Sequence, residues 1–108
     1  MQSHSEETMV KLVVLYGHPT DPASFDDYFA SVHMPLAETI PGVVDITYGH
    51  VASVDDTAAP YYLAAEVTFD SLDDLRAGMS SPQGQATAAD VAEFATGGAT
   101  NFIQTGRR

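Results

Sequence analysis

Residues 10–42, VKLVVLYGHPTDPASFDDYFASVHMPLAETIPG, decide the fold, because the apolar period changes twice within them. VKLVVLYGH (10–18) is short, β-branched and apolar, which predicts a strand. Val10, Leu12, Val14 and Tyr16 fall on one parity and Val13 and Leu15 on the other, so both faces of this strand are apolar. Thr20-Asp21-Pro22 then predicts a helix start, with Asp21 as N-cap and Pro22 in the first turn. Phe25, Tyr28, Phe29, Val32 and Leu36 recur at spacings of three and four, one apolar helix face. Pro35 is expected to bend or break this helix, since it lacks a donor and disfavours helical geometry at Met34. Pro41-Gly42 ends the element.

Working outward, VVDITYGHVASV (43–54) predicts a second strand, 55–60 a loop and YYLAAEVTF (61–69) a third strand, together an antiparallel hairpin with a long connection. Ser71-Leu72-Asp73-Asp74 resembles a capping box and opens a helix with Leu72, Leu75 and Met79 inward. Ser81-Pro82 restarts it, with Ala86, Val91 and Phe94 inward; Gly97-Gly98 stops it, and 99–106 form the last strand. The order β-α-β-β-α-β is the ferredoxin-like α+β arrangement, with a four-stranded antiparallel sheet. Residues 1–8 are expected to be a disordered tail, and 9–108 a single domain.

Helices on one face of such a sheet leave the other bare. That face would carry Val13 or Val14 and Leu63 or Ala64, an apolar surface that asks for a partner. A second copy of the chain, packed sheet to sheet about a two-fold axis, is the expected homodimer. The alternative is a monomer whose open face is more polar.

The 108 residues are 44% hydrophobic, enough for one core and too few for a second domain. With no cysteines, disulfides, thiolate catalysis and zinc–thiolate sites are excluded. A net charge of −11 repels phosphate backbones and anionic surfaces, so neither nucleic acid nor membrane is an expected partner. No apolar signal core is visible, and a cytoplasmic location is the expectation. There is no phosphate loop, nucleophile elbow, His-Glu-x-x-His or dinucleotide fingerprint.

Several of these segments resemble the EthD family. The resemblance rests on the first strand ending in Tyr16, the Phe/Tyr-rich helix, His33-x-Pro35-Leu36-Ala37 and Pro41-Gly42. It extends to Ser81-Pro82-x-Gly84, Asp90, Phe94 and Gly97-Gly98, and covers about residues 9–106. It implies a dimeric α+β barrel of two ferredoxin-like subunits. It also implies relatives that handle small apolar, often aromatic or polyketide-like compounds, commonly without metal or organic cofactor. Cyclases, isomerases and cofactor-free monooxygenases occur in the wider superfamily.

Of the four histidines, two sit in YGH tripeptides at 16–18 and 48–50. Their flanks differ, so they are no repeat. Strand order puts His18 and His50 at one end of the sheet, roughly 10 Å apart with a strand between. His33 lies roughly 16 Å down a straight helix from Pro22. One metal ion shared by the three is poor geometry, and no metal site is expected.

His33 is the first candidate, as general acid or base. A structural role remains open beside it: satisfying carbonyls freed by Pro35. Tyr16 and His18 are expected on one strand face, where phenol and imidazole can polarise a carbonyl or phenol oxygen; core packing and a solvated strand end are their other reading. Tyr28, Tyr48, His50, Glu66 and Phe94 are expected ligand contacts. Glu66 needs a partner if it faces the barrel, and Asp90 caps or orients a neighbour. Tyr28, Phe25, Phe29, Phe94 and Phe102 read most simply as core, with one or two of them lining a cavity. The expected activity is binding of a small apolar or aromatic compound, with cofactor-independent acid/base chemistry of isomerase, cyclase or monooxygenase type. The alternative is a non-catalytic binding or accessory protein for an oxygenase or degradation pathway.

Overall fold

A computed structural model describes residues 8–107 of the chain. The expected tail lies outside them, except Thr8, where the first strand already begins. The elements are β1 (Thr8–Tyr16), α1 (Pro22–Tyr28), a π turn (Phe29–His33), α2 (Met34–Ala37), β2 (Val43–His50), β3 (Leu63–Phe69), α3 (Leu72–Ser80), α4 (Pro82–Asp90), a 3-10 turn (Val91–Glu93) and β4 (Ala99–Arg107). The sheet order is β2-β3-β1-β4 with every neighbouring pair antiparallel, so the fold is ferredoxin-like as the element order predicts. Among the described residues no helix is long and apolar enough to cross a membrane.

Three strands are shorter at one end than their apolar runs. β1 stops at Tyr16 and leaves His18 outside it, β2 stops at His50, short of residue 54, and β3 begins at Leu63, leaving Tyr61 and Tyr62 before it. At the first boundary the cause is a close approach of two glycine backbones. Gly17 N–H donates to the Gly98 carbonyl at 3.0 Å, and a Cβ on Gly17 would collide with the Gly97 carbonyl. Gly49 of the second YGH has nothing near it, so the two tripeptides are physically unlike.

Val10, Leu12, Val14 and Tyr16 of β1 face the helices, as do Leu63, Ala65, Val67 and Phe69 of β3. Their core has an aromatic half, Tyr16, Phe25, Phe29 and Phe94, and an aliphatic half around Val10, Ile40, Val67 and Leu75. The opposite sheet face carries Val13, Leu15 and Ala64 half-buried, and Phe102 51% exposed. Glu66 lies on this face, not in the core, and is paired with Lys11 at 2.8 Å.

The first helix departs from the predicted pattern. Asp21 caps it as expected, accepting from Ser24 N–H at 3.1 Å. Pro35, however, does not break it at Met34, which is helical (φ −63°, ψ −46°). Instead the turn before it widens, and Met34 N–H reaches back to the Phe29 carbonyl. Pro35 has no N–H for the Ser31 carbonyl, and its ring needs space there; a π turn supplies that space. The extra residue rotates everything beyond it. Val32, expected inside, is 42% exposed, while His33 and Ala37 take the buried positions. In α4 the phase also differs: Thr87 is buried and Ala86 exposed. Gly84 packs there on the Gly78 carbonyl so tightly that a Cβ has no room.

Candidate functional site

The π turn aims His33 at the end of α4. Its Nδ1 lies 2.9 Å from Asp90 Oδ2, and the imidazole is only 5% exposed. A carboxylate can only accept, so Nδ1 carries a proton, and in the neutral imidazole Nε2 is the nitrogen with the lone pair. Nε2 faces the Tyr16 hydroxyl at 3.5 Å, a contact too long for a strong hydrogen bond. On the far side, Tyr28 donates its hydroxyl to Asp90 Oδ1 at 2.6 Å. The result is a chain Tyr28–Asp90–His33–Tyr16 drawn from α1, α4, the π turn and β1.

The two phenols are held protonated. Burial, then the negative charge of Asp90, pushes the Tyr16 phenol far above its ordinary value. The hydrogen bond to Asp90, together with burial and the charges of Asp90 and Glu93, pushes Tyr28 up to about 12. Tyr16 is thus a hydrogen-bond donor, and the Nε2 lone pair is the basic atom beside it. Phe94 packs on the imidazole, ring centroids 4.7 Å apart, and Phe29 at 5.4 Å. These rings keep water from the pair.

His33 and Tyr16 border a cavity of about 70 Å³ between sheet and helices. Its other walls are mostly apolar, with Met34 and Met79 among them and Thr87 and Asn101 as polar members. No lysine or arginine lines it.

A second cluster of the same residue types lies across α1. Asp26 Oδ1 accepts from His50 Nε2 at 3.0 Å and from the Tyr62 hydroxyl at 2.8 Å. The His18 imidazole meets the Ala59 carbonyl at 2.7 Å, and both it and His50 pack on Tyr62, with centroids 6.1 and 4.9 Å away. The ends of the two YGH tripeptides therefore meet on Tyr62. Burial alone would raise the Asp26 carboxyl, but the hydrogen bonds from His50 and Tyr62 and the charge of His50 hold it below the usual carboxylate range. Beside this cluster a groove of about 370 Å³ runs between α1 and β2, lined by Asp26, Phe29, Ala30, Tyr48, His50 and Leu63.

Of the residues singled out by sequence, His33 and Tyr16 line the cavity, while Tyr28 reaches His33 only through Asp90 and Phe94 packs on the imidazole outside the cavity walls. Tyr48 and His50 line the groove, His18 is exposed on a loop carbonyl, and Glu66 is on the opposite sheet face. Tyr16 and His18 do not act as a pair; Tyr16 points to His33 instead. Asp26, Tyr62, Thr87 and Asn101 carried no signal, because their partners are distant in sequence. Among the described residues no three His, Asp or Glu side chains gather where one ion could hold them.

The chain is 40% identical over 92 residues to an uncharacterised 11.0 kDa protein of the thcB-thcC intergenic region of Rhodococcus erythropolis, covering 85% of this chain and 89% of that one. An EthD family protein from Bacillus halodurans superposes with a TM-score of 0.83 at 31% identity, over 89% of this chain and 96% of the other. Two more distant structures share the fold. A dimeric ferredoxin-like protein of Thermobifida fusca matches at TM-score 0.67 and 18% identity, covering 90% of each chain. SnoaB of Streptomyces nogalater, a cofactor-independent oxygenase, matches at 0.63 and 17% identity, over 94% and 95% of the two chains. The model of the EthD domain matches residues 17–98, and with the Bacillus halodurans relative it establishes that this chain belongs to the EthD family.

Proposed function

We propose that the protein binds a small, uncharged apolar or aromatic compound in the cavity beside His33 and moves a proton on it without a cofactor. The observation that carries this reading is the buried Tyr28–Asp90–His33–Tyr16 chain ending at an apolar cavity. A ligand oxygen seated beside Tyr16 accepts its hydroxyl proton in a hydrogen bond. His33 Nε2 takes the proton from the adjacent carbon or from a ligand hydroxyl, and Asp90 steadies the imidazolium that forms. Returning that proton to a different atom gives an isomer, and the same abstraction opens cyclisation. Proton abstraction is also the first step an oxygenase without cofactor needs, and the fold is shared with SnoaB, which is one.

The test needs no knowledge of the natural substrate. A panel of neutral ketones and phenols is incubated with the protein in D2O, and loss of carbon-bound hydrogen is followed by NMR. Exchange that depends on His33 supports the reading, and exchange equal in His33→Gln sinks it. The loose 3.5 Å contact between Tyr16 and His33 favours a second reading, binding without turnover. Ligand-induced shifts at His33 with no exchange would decide for that.

The working unit in this proposal is a homodimer, closed over the sheet face that carries Val13, Leu15, Ala64 and Phe102. An apolar surface of this kind needs cover. The dimeric Thermobifida fusca protein has the same fold. Val13→Lys should leave a monomer in sedimentation equilibrium.

A further inference from the structure

Phe29 belongs to two hollows at once. Its ring is a wall of the cavity beside His33 and also of the groove beside Tyr48. Its centroid is 5.4 Å from the His33 ring on one side and 4.9 Å from the Tyr48 ring on the other. The two hollows differ in what they can hold. The inner cavity, about 70 Å³, is about half the roughly 150 Å³ of an apolar cavity that takes up benzene. Ligand pockets usually run from about 300 Å³ upward, and the groove, at about 370 Å³, is in that range. The groove has room, but its acid/base groups, Asp26 and His50, are open to water; the cavity has the buried His33 and Tyr16 but no room for a ring.

We propose that cavity and groove are two compartments of one cleft, partitioned by the Phe29 ring, and that the ligand spans both. The proposal rests on the reading of His33 as the group that meets the ligand. The ligand enters between α1 and β2, displaces the Phe29 ring, sets one oxygen against His33 and Tyr16, and lays its far ring on Tyr48. Met34 and Met79, unbranched and adaptable, give way around the inner end. The occupant is a fused-ring aromatic or a chain of similar length, with a single oxygen at its leading end. It carries no negative charge: neither hollow has a lysine or arginine in its walls, and the carboxylates of Asp26 and Asp90 lie at the two ends. Phe29 thereby sets the length of the ligand that reaches His33.

The experiment uses 2-naphthol as the long probe and acetone as the short one, read by NMR at the His33 imidazole and the Tyr48 ring. 2-Naphthol should move both signals, and acetone His33 alone. Ala30→Trp fills the groove from an exposed position without entering the core. It should weaken 2-naphthol at least tenfold and leave the acetone shift at His33 within twofold. Phe29→Ala, if it folds, should tighten 2-naphthol. The idea is overturned if 2-naphthol moves His33 but not Tyr48, or if Ala30→Trp leaves its affinity unchanged. If acetone moves His33 and 2-naphthol does not, the shared cleft is wrong while the acid/base reading stands. If neither probe moves His33, both fall.

Discussion

Two Asp–His–Tyr clusters lie on opposite sides of the wall made by Phe25 of α1 and Phe29 of the π turn, and they differ in burial and wiring. In the inner one Asp90 gives one oxygen to His33 and the other to Tyr28, and its side chain is 12% exposed. In the outer one a single oxygen of Asp26 serves both His50 and Tyr62, and the side chain is 42% exposed. The residue types are the same, so residue type alone does not make a site. The inner arrangement fixes a tautomer and leaves a lone pair facing an apolar cavity. The outer arrangement ties loop and edge strand to α1 within reach of water, where the same bonds are weakened by solvent.

The largest break in the comparison should come from removing each carboxylate. Asp90→Ala strands the buried His33 N–H and frees the half-buried Tyr28 hydroxyl, and loss of one member of a buried pair costs about 3 kcal/mol. Asp26→Ala should cost less than about 1 kcal/mol, because water replaces it. Denaturant midpoints of the two variants measure the contrast, and equal losses would mean that the inner cluster is no more buried in solution than the outer. Next in size is the effect on proton exchange. His33→Gln should lower any exchange activity by about 100-fold or more, the usual contribution of a positioned acid/base, whereas His50→Gln should stay within about twofold. A larger loss at His50 would move the chemistry to the groove.

The unequal legibility of the two clusters has a physical cause. The strand and helix order follows from apolar periodicity and from the caps at Asp21, Ser71 and Ser81, all local signals, and the topology followed from it. The inner cluster was half visible. His33 and Tyr16 stood out as polar groups at the margin of apolar patterns, and Asp90 as a residue that orients a neighbour. The π turn was not legible. Pro35 announces a disturbance in the helix, but a bend and a one-residue slip have the same sequence signature. Only the slip exchanges Val32 for His33 at the core. The boundary at Gly17 was missed for a related reason: it depends on the backbone of Gly97 arriving from the far end of the chain. The outer cluster was legible only in its histidines, His18 and His50, since Asp26 on α1 and Tyr62 before β3 look like an ordinary helix-surface acid and a strand aromatic.

The clusters should also differ in how strongly their phenols act on stability at alkaline pH. Burial and Asp90 raise the Tyr16 phenol, so the folded protein holds a proton that the unfolded chain releases near its ordinary pKa of about 10. That stability is complete below about pH 10 and declines as pH rises toward the folded value. Tyr16→Phe should flatten the decline in denaturation series between about pH 9 and 11. Tyr62 is raised too, by burial and then by its bond to Asp26, so Tyr62→Phe should flatten it as well, but less, its hydroxyl lying in the solvated cluster.

The smallest effect belongs to the outer carboxylate at acid pH, and it has the opposite sign. Asp26 is held below its ordinary value of about 3.9 by His50 and Tyr62 against the upward pull of burial. A lowered folded value means that the unfolded chain binds the proton first as pH falls. The contribution of Asp26 is therefore complete above about pH 4 and disappears as pH drops through the folded value. Asp26→Asn removes that dependence, so wild type and variant should converge below about pH 3 while differing slightly at pH 6. Because the side chain is 42% exposed, the difference should be a small fraction of that between wild type and Asp90→Ala. Equal slopes in wild type and Asp26→Asn from pH 5 to 2 would show that the His50 and Tyr62 bonds do not hold Asp26 in solution. A difference as large as that of Asp90→Ala would show that the outer cluster is buried as well, in the manner expected of a subunit interface laid over β2 rather than an open groove.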